Sequence, residues 1–195
     1  MQDVQDKFEI MEVVQAWAVA RDSGDWERLR ATVHPDATMT ATWYDGNFDG
    51  FIRNAEESWA KGARSMHVLG GTMVTVAGTR AISQTRMTIM VRGKADGVEV
   101  DVACTGRFYD FFEKRQGNWR IAERRCIYEK DRMDPVVPGT ALKLDPARLG
   151  RFPAGYQHLA YLQSQRGTEV NPALPTAQGA ILDALLARGA KWLAG

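Results

Sequence analysis

The sequence predicts an α+β fold, with helices at the amino end packed against a strongly curved, mostly antiparallel sheet. Three observations lead there. Ile10, Val13, Val14 and Trp17 recur at helical spacing. Residues 37–43 (ATMTATW) alternate threonine with Ala, Met or Trp, the period of a strand with one face buried. Four further strand-like runs, near 66–76, 80–92, 98–112 and 118–128, are separated by AGT, GKADG and KRQGN, turns suited to antiparallel neighbours.

Taken in order, residues 3–21 form an amphipathic helix. RDSGDWERLR then opens a second one, capped by Ser23 or Asp25. That helix is expected to stop at HPDA, because Pro35 lacks an amide donor and biases His34 away from helical angles. The first strand follows, YDGN supplies a turn, and Phe51, Ile52, Ala55 and Trp59 mark a third helix. After the meander, DRMDPVVPG reads as a proline-punctuated connector. Short helices are expected near 145–150, 154–166 and 176–193. The chain thus divides into a domain over 1–133 and a helical extension over 134–195, packing on that domain or on a neighbouring subunit.

The 195 residues suit one packed domain plus an extension. Twenty-five basic and 24 acidic side chains leave a formal charge of +1, so no strong field attracts a polyanion, and nucleic acid is disfavoured as a partner. The opening MQDVQDKFEI lacks the apolar stretch of a signal peptide, and no run approaches the roughly 18 apolar residues of a spanning helix. No membrane association and a cytoplasmic location are the expectations. Cys104 and Cys126 are too few for a disulfide framework and read as small core residues.

Chemistry is constrained by poverty of ligands. His34, His67 and His158 lie in unrelated segments, so no metal site is expected. Phosphate loops and a serine elbow are also missing. Acid–base catalysis is what is left. His67 begins the apolar run SMHVLGG (65–71), and an imidazole titrates near about 6.5. It reads either as a core histidine bonded to a carbonyl or as a base oriented by a carboxylate. Asp22, at the end of the first helix, is the candidate partner; its plainer reading is a helix-end cap.

The stretch AWAVARDSGDWERLRATVHPDATMTATWYDG resembles the opening of SnoaL-like proteins of the nuclear-transport-factor-2-like superfamily. MHVLGGTMV resembles the second strand of that superfamily's scytalone dehydratase and hexachlorocyclohexane dehydrochlorinase branch. EKRQGNWRIAERRCIYEKDR is similar to its last hairpin, with a Gly-x-Trp-[Lys/Arg] signature. The resemblance covers about residues 5–133 and implies a cone-shaped α+β barrel. It implies Asp22 and His67 as the catalytic pair and Arg124 as a basic pocket residue, with Trp43 or Tyr44 near the aromatic that orients water in the dehydratase. The dehydratase's second histidine has no counterpart in residues 84–92, and its polar Ser and Asn fall near Gly106 and Phe108. A more apolar pocket is therefore expected, with Trp43, Tyr44, Trp59, Met87 and Phe108 as candidate walls and Gly70-Gly71 as room beneath the helices.

The resulting expectation is a lyase without a cofactor, of dehydratase or other elimination type, acting on a small hydrophobic or aromatic molecule. An isomerase using the same pair, a non-catalytic binding protein and an oxygenase small subunit are the alternatives. A homodimer or homotrimer is expected, because an apolar outer face on residues 99–112 needs cover.

Overall fold

The computed structural model describes residues 2–195; Met1 of the opening run lies outside them. Helix α1 (Gln2–Ser23) places fully buried Ile10, Val14 and Trp17 in the concave side of the sheet. Gly24 makes the turn at a φ of +76°, and its missing side chain leaves room for the Trp59 indole. Asp25, not Ser23, then caps α2 (Trp26–Ala31) by accepting the Arg28 amide at 3.0 Å.

Two local expectations are corrected here. The second helix ends before HPDA, because β1 (Val33–Ala41) already begins at Val33. Pro35 sits where the pairing of β1 slips between Val33 and Thr38, so its missing amide costs no ladder bond. YDGN is no turn but the short strand β2 (Tyr44–Asn47), which pairs antiparallel with Thr38–Ala41 around a turn at Thr42 and Trp43. Asn47 ends it by capping α3 (Phe48–Ala60), accepting the Gly50 amide at 2.8 Å.

The meander follows as β3 (Ser65–Ala77), β4 (Arg80–Ala95), β5 (Val98–Arg115) and β6 (Asn118–Pro135). The last strand is longer than its sequence suggests: Asp131–Pro135 still pairs with Val100–Cys104, so the connector starts only after Pro135. Gly70 and Gly71 are exposed and lie at a bulge in β3 between Leu69 and Thr72, rather than beneath the helices. Among the described residues six strands form one sheet in the order β2-β1-β6-β5-β4-β3, with β1 and β6 parallel. The sheet is curved but not closed, and β2 and β3 are its edges.

The extension supplies α4 (Pro146–Leu149), α5 (Gln157–Gln165) and α6 (Ala180–Ala194). Helix α5 buries Leu159, Ala160 and Leu162 in the same core as α1. Its first turn is held by Asp131 of β6, which accepts the amides of His158 and Leu159 and the His158 Nδ1–H at 2.7–2.8 Å. Helix α6 instead covers the outer face, setting Leu182 and Leu185 on Ile82, Tyr109, Phe111 and Ile127. The apolar part of residues 99–112 expected to need a second subunit is thus covered by the chain itself. Among the described residues no helix is long and apolar enough to cross a membrane.

Candidate active site

Asp22 stands in the last turn of α1, and His67 is the third residue of β3. Because β3 is an edge strand, its outward amides have no ladder partner. Asp22 uses this. Its Oδ2 accepts the His67 backbone N–H at 2.5 Å, and its Oδ1 accepts from the Nδ1 of the same residue at 2.6 Å. A carboxylate only accepts, so Nδ1 carries the proton and Nε2 is left with a lone pair. The ring meets Trp17 edge-on at 5.4 Å between centroids, and the tilted ring of Phe108 lies 6.0 Å away.

His67 forms part of the wall of a cavity of about 410 Å³ between α1, α3, the sheet and α5. Of the residues expected there, Trp43, Trp59 and Phe108 line it. Asp22 does not; it lies behind His67, on a shallower depression. Tyr44 is turned to its own hairpin, donating its hydroxyl to the Asn47 carbonyl at 2.6 Å. Met87 is buried in the core one register step beyond the lining residue Ile89.

Arg124 is also off the cavity wall, which corrects its expected direct contact with a ligand. It is fully buried and stands opposite Asp110 in the β5–β6 ladder, donating two hydrogen bonds to that carboxylate at 2.6 and 2.7 Å. Its guanidinium is also stacked between Trp17 and Phe108, 4.2 and 4.0 Å from the ring centroids. Arg124 therefore props up two rings of the site from behind. Sequence reasoning missed Arg21, Phe51 and Tyr128 of the wall, and Leu162 and Gln163 from the extension. Arg21 lies one turn after Trp17 on α1, a spacing that could have placed it on the same face.

The electrostatics favour a neutral base. Burial pulls the His67 pKa below its ordinary value; Asp22 opposes this through its hydrogen bond and charge, while Arg21 and Arg124 add to the lowering. Burial also pushes the lining thiol of Cys126 up to about 12, so it stays protonated and makes no nucleophile near neutrality.

A comparison with known families matches residues 2–125 to the SnoaL-like domain. The chain belongs to this family. Among curated relatives, the SnoaL-like chain is 36% identical to pea pathogenicity protein 2 of Fusarium vanettenii, over 81% of its own length and 69% of that protein's. It is 33% identical to an uncharacterised protein of Emericella nidulans over 98% of its length and 87% of the relative's, so that likeness runs through the extension. A solved structure of a candidate scytalone dehydratase from Novosphingobium aromaticivorans matches with a TM-score of 0.58 at 16% identity. It covers 73% of this SnoaL-like chain and all of the other. At that identity the likeness is one of fold.

Proposed function

We propose that the protein is a lyase that needs no cofactor and eliminates a leaving group from a small, largely apolar or aromatic molecule. His67 is the general base and Asp22 its orienter. The observation that carries this reading is the two-point grip of Asp22 on His67. It fixes both the ring and its tautomer while Nε2 stays free at an aromatic-lined cavity. Nε2 takes a proton from carbon, and the C–H electron pair becomes the π bond to the adjacent carbon. The group on that carbon departs with its own electron pair. Where it leaves as hydroxide, the imidazolium returns the proton and water is released; a halide leaves as the anion, and the proton passes to solvent.

As His67 turns positive it forms an ion pair with Asp22 away from bulk water, which favours the charge separation of the transition state. General-base action of this kind supplies about 10²–10⁴-fold. The fold shared with a candidate scytalone dehydratase supports an elimination only by analogy of fold. The test is to incubate the purified chain with hydroxylated and halogenated ring compounds and follow loss of water or hydrogen halide by mass spectrometry. His67→Gln and Asp22→Asn, checked for folding by circular dichroism, should each lose about 10²–10⁴-fold in turnover. Wild-type turnover in both folded variants rejects the reading. Tight retention with no mass change points to a binding protein, and rearrangement at constant mass to an isomerase.

A further inference from the structure

The cavity wall carries charge and unpaired donors that proton abstraction alone does not need. Its lining includes four cations, Arg21, Lys61, Arg64 and Arg166, and no Asp or Glu. Arg64 donates to the carbonyls of Trp59 and Ala63 and Arg166 to that of Arg92, so these bonds neutralise neither charge. Arg21 is the inner one. Burial lowers its pKa while the adjacent Asp22 opposes the change; a guanidinium nonetheless stays protonated.

Hydrogen bonding gives an independent sign. Among the described residues six buried side-chain polar atoms find no partner. Four belong to this wall: Trp17 Nε1, Arg21 Nε, Ser65 Oγ and Gln163 Oε1. Three of the four, Trp17 Nε1, Arg21 Nε and Ser65 Oγ, can donate, whereas Gln163 Oε1 only accepts. Buried donors are nearly always paired, so a group of unpaired donors on residues lining one cavity points to a ligand with acceptors. Trp17 and Arg21, four residues apart on one face of α1, both line the cavity with His67, and each carries one of these unpaired donors.

We infer that the ligand is an anion, an apolar or aromatic body bearing a carboxylate whose oxygens accept from Arg21 Nε–H and Trp17 Nε1–H. This names the substrate class for the proposed lyase site and rests on that cavity being the working one. Exposed Lys61, Arg64 and Arg166 raise the local concentration of anions at the mouth, an effect that salt screens. The apolar walls hold the body against His67.

The experiment is calorimetric titration, at low ionic strength, of one- and two-ring aromatic carboxylates against their primary amides, which match them in shape without the charge. The carboxylates should bind at least about tenfold more tightly than the amides, and Arg21→Met should abolish that preference by weakening the carboxylates far more than the amides. Amides binding as well as carboxylates, or no carboxylate binding at all, overturns the inference. So does an undiminished preference in folded Arg21→Met; where that variant does not fold, the wild-type comparison decides. Binding is read without turnover. A chain that prefers carboxylates but eliminates nothing upholds this inference and removes the lyase reading, while elimination from neutral compounds with no carboxylate preference does the reverse.

Discussion

Asp22 occupies a place where a carboxylate is poorly tolerated, the last turn of a long helix whose carbonyl end carries partial negative charge. Two N–H groups of one residue, His67, compensate it. The buried pair behind the site is a second concentration of charge. Asp110→Ala strands the Arg124 guanidinium in the core, where both side chains have 0% exposure, and should cost about 3–5 kcal/mol in denaturant unfolding. A cost below about 1 kcal/mol rejects a buried, paired Arg124. Asp22 and His67 were named together because only three histidines compete and because the resemblance to SnoaL-like proteins implies that pair; residue type and spacing alone left each with a plainer reading. The place of Arg124 was not. Its partnership depends on a register that slips at Phe111/Phe112, and no local pattern reports that. Trp17 was read as core from its period; that reading could not show that its ring also forms the cavity wall.

At the scale of elements, the extension depends on one strand residue. Asp131 supplies the cap that α5 lacks in its own sequence, since the side chain of Tyr156 at the cap position makes no capping hydrogen bond to the helix. Asp131→Ala should cost about 1–2 kcal/mol and speed amide hydrogen exchange across residues 157–165, with β4 and β5 little changed. Uniform exchange throughout the chain contradicts that local role. Helices with strong periodicity and Gly-bounded hairpins were readable to within a few residues. What failed was turn chemistry: YDGN has turn composition but pairs as a strand, because the neighbouring Thr38–Ala41 offers its ladder. Similarly, DRMDP was read from its proline, although Pro135 comes only at the end of a strand that β5 extends.

For the whole molecule, the extension does two jobs the sequence could not separate: α5 completes the cavity and α6 covers the outer sheet. Both depend on contacts between residues far apart in the chain, so composition alone indicated only that something packs there. The site in turn affects global stability. His67 has a lowered folded pKa, so between that value and the unfolded one near 6.5 the native state binds fewer protons than the unfolded chain. Its contribution is therefore complete above about pH 6.5 and is lost as the pH falls toward the folded pKa. The stability difference between wild type and His67→Gln should shrink over that interval, which urea unfolding at a series of pH values will check. The most direct test of the central claim is a nitrogen-15 NMR titration of the three histidines in labelled protein, assigned by substitution. The account predicts His67 neutral at pH 7, protonated on Nδ1, with a pKa below about 6.5 that falls further in Asp22→Asn. An imidazolium at pH 7, or a neutral ring protonated on Nε2, would contradict it.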